Sequence, residues 1–337
     1  MTQYFRPIPM QDLLRPANAR TIADGWCWFD RAERITRGGG RELVGIDDIP
    51  AELVERICAP RAPIAGLSFD APRIMGILNV TPDSFSDGGK FIAPDAALKH
   101  ARDMVADGAD ILDIGGESTR PGADIVSVDI EISRTAPVIS AIRAELQTPI
   151  SIDTRKAEVA RTAIAAGAGL INDVAAFTYD PALADLAAET ATPVCLMHAQ
   201  GVPKTMQDAP NYGDVLLDVY DFLAQRIQVA ISAGIPRAHI MIDPGIGFGK
   251  TTDHCLGLLR DISLFHALGC PILLGASRKT FIGDITGENL AEDRTFGSVS
   301  VAQSAVAQGI QILRVHDIKA TKQALAMQMA VTTTKRE

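Results

Sequence analysis

Eight short apolar runs recur along the chain, and each ends at polar residues that could take part in chemistry. A buried parallel strand reads as a nearly continuous run of Ile, Leu, Val and Met. A polar group at the point where such a strand leaves the core is costly to bury without a partner. Eight such endings in series therefore predict the rim of one pocket. The endings are Asn79, Asp113, Asp153, Asn172–Asp173, His198, Asp243, Ser277 to Lys279, and Arg314 to His316.

The elements that must position these residues alternate between strand and helix. From about residue 72 onward, Ala-rich segments with helical spacing separate the apolar runs. This alternation predicts a parallel sheet, and eight units match a closed (β/α)8 TIM barrel, which typically takes about 250 residues. An open doubly wound sheet is the alternative, but it would gather its ligand groups at one switch point.

Residues 1–70 do not follow this rhythm, so we predict two parts: an N-terminal extension packed on the barrel, and a barrel over residues 71–337. The extension contains both tryptophans, a turn signal at Gly38–Gly40, a strand around residues 25–35 and a short helix around residues 49–60. The sequence of this extension does not indicate a function.

Composition excludes several classes of function. The net charge of −9 provides no basic field for nucleic acid. No apolar run approaches the roughly 20 residues that span a bilayer, and the start of the chain lacks a signal-peptide pattern. The five cysteines are scattered without a metal-binding or disulfide pattern, so we expect a cytoplasmic protein. Any anionic substrate must then be held by a local group of cations.

Two loops that follow strands carry hydroxyls, glycines and one isolated aromatic residue. Residues 75–91 place Phe85 among polar residues, which indicates a loop that brings an aromatic ring over the pocket, although a polar surface turn explains the composition equally well. Residues 115–123 supply Ser118, Thr119 and Arg120 beside glycines, and a loop with a solvated arginine is the plain alternative.

The remaining strand endings indicate a heterocycle and an anion. Residues 242–251 resemble a phosphate loop but have Pro244 where a Walker A loop needs glycine. An aspartate, Asp243, followed by Phe248 suits a planar heterocycle with N–H donors, unless Asp243 caps the next helix. The cations Lys279, Arg314 and His316 converge after the seventh and eighth runs, where this fold often binds phosphate. No zinc motif is present.

These segments resemble the dihydropteroate synthases of folate biosynthesis over about residues 72–330. The matching motifs are GILNVTPDSFSDGG, DIGGESTRPGA, SIDT, GAGLINDV, LMHAQGVPKTMQ, IDPGIGFGK, GASRKTFIG and RVHD. The resemblance implies a (β/α)8 barrel. It also implies a transferase that condenses 6-hydroxymethyl-7,8-dihydropterin diphosphate with 4-aminobenzoate, giving 7,8-dihydropteroate and diphosphate. Sulfonamides are the implied competitive inhibitors, and the implied assembly is a homodimer through the later helices.

The resemblance also assigns residues to three subsites. Those implied for the pterin ring are Asp113, Asp153, Asn172, Asp243, Phe248 and Lys279, with Asp113 supporting the loop that holds Thr119 and Arg120. Those implied for the diphosphate are Asn79, Arg314 and His316, with Asn79 completing a Mg²⁺ site. Those implied for 4-aminobenzoate are Phe85, Thr119, Arg120 and Ser277. The residues implied as catalytic are Asp153, Lys279, Arg314 and His316.

The implied reaction needs departure of diphosphate more than it needs a strong base, because an aromatic amine attacks in its neutral form. Mg²⁺, Arg314 and His316 are expected to stabilise the leaving charge, which predicts dissociative substitution at the pterin methylene. His198 is left as a structural residue. Two positions depart from the family pattern, Ala199 in place of methionine and Ile246 in place of phenylalanine, and both exchanges alter packing more than chemistry. The competing functions are a pterin-binding methyltransferase and a catalytically silent pterin-binding paralogue.

Overall fold

The N-terminal 70 residues form two small antiparallel sheets and one helix. The computed structural model of the chain describes residues 2–81, 94–118, 123–201 and 205–333, and no helix within these ranges is long and apolar enough to cross a membrane. The elements are β1 (Gln3–Pro7), β2 (Arg20–Thr21), β3 (Trp28–Phe29), β4 (Arg31–Thr36), β5 (Gly40–Gly45) and α1 (Ala51–Cys58). The sheets are ordered β1-β4-β5 and β2-β3, and the strand expected around residues 25–35 is broken at Asp30.

Buried hydrogen bonds attach this N-terminal part to the rest of the chain. The indole Nε1 of Trp26 donates to the carbonyl of Val306 at 2.7 Å. The hydroxyl of Ser263 donates to the carbonyl of Pro7 at 2.9 Å. Because both bonds are buried, leaving either acceptor unpaired would cost free energy.

Eight parallel strands and the helices between them form the remainder of the molecule. The strands are β6 (Arg73–Asn79), β7 (Ile111–Gly115), β8 (Ile150–Asp153), β9 (Leu170–Asp173), β10 (Val194–Met197), β11 (Ile240–Asp243), β12 (Leu273–Leu274) and β13 (Ile312–Val315). The helices are α2 (Pro94–Ala106), α3 (Val128–Glu145), α4 (Ala157–Ala166), α5 (Ala182–Glu189), α6 (Val215–Ser232), α7 (Thr252–Arg260), α8 (Thr280–Thr286), α9 (Thr295–Val306) and α10 (Ile318–Thr333).

The strands close into a barrel, as the sequence predicts. Their order is β11-β10-β9-β8-β7-β6-β13-β12, and a parallel bridge between Ile242 and Ile272 joins the two ends. This closure is short because Pro271, next to the bridge, has no N–H to donate to a ladder. The carbonyl of Pro271 instead accepts from the amide of Ile242 at 3.0 Å. The open doubly wound sheet is therefore excluded.

The amino-terminal end of the barrel interior is apolar and plugged. Side chains alternate between the two faces of each strand, so every second residue points into the barrel. Ile64 and Phe69, from the segment that precedes β6, pack onto this interior layer and seal its lower end. Polar side chains of the interior therefore meet solvent or a ligand only at the carboxyl end. The interior layer consists of Met75, Ile111, Leu170, Cys195, Met241, Leu273 and Ile312.

One of the predicted strand endings is wrong by two residues. Asp113 is the third residue of β7, which continues through Ile114 to Gly115. The last strand, β13, ends at Val315, within the predicted ending of residues 314 to 316, and Arg314 is its third residue. Since Asp113 lies two residues after Ile111, its side chain points into the barrel below the rim. The apolar-run pattern missed this because Ile114 and Gly115 extend the strand beyond the acid.

Candidate active site

Four polar side chains from four strands meet inside the carboxyl half of the barrel, and we call them the floor cluster: Asp113, Asp153, Asn172 and Arg314. The guanidinium of Arg314 donates from Nε to Asp113 Oδ2 at 2.6 Å and from one terminal nitrogen to Asp153 Oδ2 at 2.8 Å. The amide of Asn172 donates to the same Asp113 oxygen at 3.0 Å. Arg314 thus links two carboxylates that lie on neighbouring strands.

Two buried polar atoms at the floor have no hydrogen-bond partner among the described residues. These are Oδ1 of Asp113 and the hydroxyl oxygen of Ser151, two residues that lie opposite each other in the register of β7 and β8. Both residues are fully buried. A buried polar atom left unpaired costs about 1–3 kcal/mol, and most such atoms in native proteins bind protein, water or ligand. The unpaired Asp113 oxygen is therefore an acceptor available to a donor on a ligand.

Burial changes the protonation of the floor cluster. It raises the pKa of Asp153 to about 7, against the opposing charge of Arg314, and the neighbouring Asp113 raises it further. Burial would lower the pKa of Arg314, but the charges of Asp113 and Asp153 outweigh it and hold the pKa above its ordinary value. The arginine is thus a permanent cation, whereas Asp153 titrates near neutrality.

Asp243, Phe248 and Lys279 form a second group on the same side of the barrel. Asp243, at the end of β11, accepts from the amide of Gly245 at 2.7 Å. Burial raises the pKa of Asp243, against the opposing charge of Lys279. Burial also lowers the pKa of Lys279 to about 8, and its Nζ lies 4.3 Å from the centre of the Phe248 ring and donates to the carbonyl of Ile246.

The geometry excludes the alternative that Asp243 caps the next helix. Helix α7 begins at Thr252, and its N-cap is Thr251, whose hydroxyl accepts from the amide of His254 at 3.2 Å. Asp243 instead binds the loop directly after its own strand. Because Lys279 contacts the backbone carbonyl of Ile246, that contact does not depend on which side chain position 246 carries.

His316 and Ser277 lie together at the ends of the last two strands. The hydroxyl oxygen of Ser277 accepts from the amide of His316 at 3.2 Å and lies 3.1 Å from its Nδ1. The neighbouring Arg278 is engaged elsewhere, since its guanidinium donates to both carboxylate oxygens of Asp317 at 3.0 and 2.5 Å. Arg278 therefore has a structural role, since its ion pair with Asp317 links the ends of the last two strands at the rim of the barrel.

Asn79 ends β6 opposite Gly115, which is in register with Asp153 on the next strand. A Cβ on Gly115 would lie 3.3 Å from Asn79 Oδ1 and 3.6 Å from the Cβ of Asp153, so the glycine lets these two side chains approach each other. Among the described residues no group of three or more His, Cys, Asp or Glu side chains is arranged to hold a metal ion. Three of the predicted site residues, Phe85, Thr119 and Arg120, lie outside the described residues.

Sequence reasoning missed a buried ionic network at the base of the loop that follows β7, which we call the loop clamp: Glu117, Glu131, Thr154, Arg155 and Lys156. Lys156 donates to Glu131 Oε2 at 2.6 Å, to Glu117 Oε1 at 3.2 Å and to the carbonyl of Val126 at 2.6 Å. Glu117 also accepts from the amide of Val126 at 2.8 Å. The loop clamp thus ties residue 117 to residue 126. Its only sequence signal is the Arg155–Lys156 pair just after a strand end.

A buried lysine was also missed. The Nζ of Lys250 lies 2.8 Å from Nδ1 of His198 and donates to the carbonyls of Gly245 at 2.8 Å, Phe248 at 3.1 Å and His198 at 3.5 Å. Burial lowers the pKa of Lys250 to about 7, so its ammonium form depends on these acceptors. The sequence showed Lys250 only as part of a failed match to a phosphate loop.

Comparison with known proteins identifies the family. The model of the family described as pterin binding enzyme matches residues 75–316. The dihydropteroate synthase of Synechocystis sp. is 45% identical over 267 residues, which cover 78% of this chain and 92% of that protein. The chain belongs to the dihydropteroate synthase family. The predicted family, the barrel and the enzyme class are confirmed.

Solved dihydropteroate synthases share the architecture of this chain. The Xanthomonas albilineans enzyme with 4-aminobenzoic acid has a TM-score of 0.77 at 48% identity, covering 82% of this chain and 99% of its own. The Yersinia pestis enzyme in a sulfonamide drug complex has a TM-score of 0.76 at 44% identity, covering 80% and 97%. The match to the family model begins at residue 75, after the N-terminal sheets and α1.

Proposed function

We propose that this chain condenses 6-hydroxymethyl-7,8-dihydropterin diphosphate with 4-aminobenzoate in the carboxyl half of its barrel, giving 7,8-dihydropteroate and diphosphate. The observation that carries the proposal is the acceptor-rich floor, where Asp113 Oδ1 is buried without a partner beside Asp153 and Asn172. A pterin ring presents several N–H donors along one edge. Ionised carboxylates accept such bonds, and a charged acceptor strengthens them.

The pterin is proposed to lie between the floor cluster and Asp243. Asp113, Asp153 and Asp243 accept from ring N–H groups, and Asn172 is able both to donate and to accept. Lys279 donates to ring oxygen or nitrogen, and its position against Phe248 supports a place for that ring at the boundary between the two substrates. Ile64 and Phe69 pack with the apolar interior layer below the floor, and such low-dielectric surroundings strengthen each of these bonds.

The diphosphate is proposed to lie against His316, Asn79 and Arg314. Arg314 also binds Asp113 and Asp153, so it connects the pterin subsite with the diphosphate subsite. Asn79 supplies one oxygen for Mg²⁺, which suits an ion carried mainly by substrate phosphates and water. When bound, Mg²⁺ supplies charge neutralisation to the diphosphate. The contact of Ser277 with His316 supports a 4-aminobenzoate subsite beside these groups, which Phe85, Thr119 and Arg120 are proposed to complete.

The proposed reaction is a dissociative substitution at the pterin methylene. Asp153 and Asp243 hold the ring in its electron-rich form and favour the positive charge that develops as the C–O bond breaks. His316 and Arg314 stabilise the departing diphosphate by charge-assisted hydrogen bonds. The neutral amine of 4-aminobenzoate then forms the new C–N bond and releases a proton. In this scheme Asp153, Lys279, Arg314 and His316 are the catalytic residues.

A pterin-binding methyltransferase would share the floor cluster but would not need the cations at the last two strands. The joint presence of Lys279, Arg314 and His316 around one floor supports the synthase assignment. A silent paralogue would be expected to lack at least one of these groups.

The assay is release of diphosphate with and without 4-aminobenzoate. We expect release that depends on 4-aminobenzoate, requires Mg²⁺ and is reduced competitively by a sulfonamide. Release without any dependence on 4-aminobenzoate would overturn the synthase assignment. Loss of activity in an Arg314→Met variant, with pterin binding measured separately, tests the diphosphate role.

A homodimer through the last helices is also proposed. Of the twelve large apolar side chains that are well exposed among the described residues, five lie between residues 285 and 331, on or beside α8, α9 and α10. Phe296 and Val331 are 89% and 75% exposed. Apolar surface gathered in this way is typical of interfaces. We expect Phe296→Glu to convert a dimer into a monomer in sedimentation, and an unchanged sedimentation coefficient would contradict this assignment.

A further inference from the structure

The side chain of Lys250 is buried between the loop after β11 and the end of β10, and it binds both. Its Nζ lies 2.8 Å from the carbonyl of Gly245, 3.1 Å from that of Phe248 and 2.8 Å from Nδ1 of His198, with a longer contact of 3.5 Å to the carbonyl of His198. An ammonium has three hydrogens, enough for the three shorter contacts, whereas a neutral amine has only two. The contacts therefore match a protonated Lys250 against a neutral His198.

His198 is suited to act as the acceptor. Burial and the neighbouring charge of Lys250 lower its pKa to about 2, so the ring is neutral and Nδ1 is free to accept when the proton is on Nε2. The ring is fixed by an edge-on contact with Phe222, whose centroid lies 4.8 Å away. His198 follows β10 directly, so it connects Lys250 to the barrel itself.

The two loop backbones approach too closely for side chains at their contact points. A Cβ at Gly245 would lie 1.8 Å from the carbonyl oxygen of His198, and a Cβ at Gly249 would lie 2.3 Å from that of Gln200. Both glycines have positive φ, of 68° and 62°. The loop therefore turns tightly around Lys250, and the two nearest carbonyls that Lys250 binds, those of Gly245 and Phe248, belong to this turn.

The same turn carries two groups that face the proposed pterin subsite. The amide of Gly245 donates to Asp243, and Phe248 lies 4.3 Å from the Nζ of Lys279. Displacement of Gly245 would release the carboxylate of Asp243, and displacement of Phe248 would remove the ring beside Lys279. Lys250 makes no hydrogen bond to the floor cluster, but its charge acts on Asp243 and Lys279. An effect that passes through the turn is distinguished from this direct effect because it depends on Phe248.

We propose that Lys250 is a positioning residue of the pterin site, which acts by holding the carbonyls of Gly245 and Phe248 against His198. The inference rests on the proposed function, because the subsite it positions is the pterin subsite. If Lys250 merely stabilised the fold, its replacement would lower the free energy of unfolding. Its effect on pterin affinity would then not depend on the side chain at position 248.

The test measures the affinity of 6-hydroxymethyl-7,8-dihydropterin diphosphate by titration calorimetry without 4-aminobenzoate, in the full chain. We expect Lys250→Met to weaken binding on the order of 10- to 100-fold, as small displacements at a site commonly do. In a Phe248→Leu background the same substitution is expected to cost far less, because residues that act through one another are not additive. Equal losses in both backgrounds would overturn the proposal.

A pair of His198 variants keeps the test decisive if Lys250→Met does not fold. His198→Asn retains an acceptor for Lys250, whereas His198→Leu removes it. We expect near-normal affinity in the first and weakened affinity in the second, with near-UV circular dichroism confirming that both are folded. Equal affinity in the two variants would contradict the proposal.

The control makes the same chemical change on the surface. Lys99 on α2 is exposed and pairs only with Asp103 among the contacts described, at 3.2 Å, so Lys99→Met is expected to leave the affinity unchanged. Failure of the unaltered chain to bind the pterin diphosphate would count against the proposed function. Normal binding by both the unaltered chain and Lys250→Met would count against the role of Lys250 alone.

Discussion

Two clusters of buried charge lie on either side of the end of β8, and they differ in how completely they are paired. In the loop clamp, all four carboxylate oxygens of Glu117 and Glu131 accept hydrogen bonds. In the floor cluster, Oδ1 of Asp113 has no hydrogen-bond partner in the part of the chain that the structure describes, nor has the hydroxyl of the adjacent Ser151. The two clusters are separated by a single peptide bond, between Asp153 and Thr154.

This difference distinguishes a structural network from a binding site. A buried network that is fully paired adds rigidity, whereas a partly paired one carries an unfavourable free energy until something completes it. The loop clamp completes itself within the chain. The floor cluster leaves an acceptor open to a donor from outside, and its raised Asp153 pKa is a further sign of charge that is incompletely compensated.

The largest expected effect is on stability and comes from breaking the loop clamp. Lys156→Met leaves Glu117 and Glu131 buried without their shared cation, so we expect a loss of about 3–5 kcal/mol in the free energy of unfolding. Pterin affinity of the folded fraction should change little. Urea denaturation with parallel ligand titration measures both. A Lys156→Met variant that kept its stability but no longer bound pterin would show that the loop clamp belongs to the binding site and is not a structural network.

The next effect is on binding and comes from the pterin site. Asp243→Asn removes a buried charged acceptor, so we expect pterin affinity to fall by roughly 2 kcal/mol or more, about 30-fold. The melting temperature should remain close to that of the unaltered chain, because the substituted side chain keeps a carbonyl oxygen for the amide of Gly245. Intact affinity would show that Asp243 is not a pterin contact.

The pH dependence of binding follows from Asp153. Its pKa is raised to about 7, so the carboxylate is ionised above that pH and protonated below it. If the ionised form accepts from the ring, affinity rises with pH through about 7 and falls tenfold per unit below it. In Asp153→Asn this rise should disappear, leaving the opposite trend, a fall in affinity at higher pH as Lys250 and Lys279 lose their protons. Calorimetric titrations between pH 5.5 and 8.5 provide the measurement, and an unaltered slope in the variant would exclude Asp153 as its source.

The smallest effect compares two buried hydroxyls. Thr154→Val removes the donor that reaches Glu131 at 2.7 Å, so we expect a loss of about 1–3 kcal/mol in stability. Ser151→Ala removes a hydroxyl that has no partner, so stability should be unchanged or slightly higher. Thermal unfolding of both variants without ligand decides the matter. Equal losses would mean that the two clusters are paired to the same extent.

Much of the barrel was predictable because a strand buried on both faces must be apolar along its whole length. The last residues of β6, β8 and β11 are Asn79, Asp153 and Asp243. A polar residue at the end of a strand interrupts an otherwise apolar run. Asp113 was harder to place, since Ile114 and Gly115 continue the strand after it. Its depth below the rim depends on pairing with β6 and β8, which a single run does not encode.

The loop clamp and Lys250 could not be predicted for a different reason. Both are held by partners far away in sequence, Lys156 by Glu117 and Glu131, and Lys250 by His198. A charged residue at such a position looks the same as an ordinary surface residue until the fold removes it from water. Arg278 shows the converse, since it stands among site residues in sequence yet pairs with Asp317.

The sequence by itself determined the barrel, the family and the strand ends that surround the pocket, because these depend on local patterns of apolar and polar residues. Only the tertiary structure decided which buried polar groups have a hydrogen-bond partner for every oxygen. Whether a buried oxygen has a partner depends on distances between strands, and those distances exist only after the barrel closes. Asp113 and Glu131 are both buried acids in this sequence, but the fold pairs both oxygens of one and leaves an oxygen of the other for a ligand.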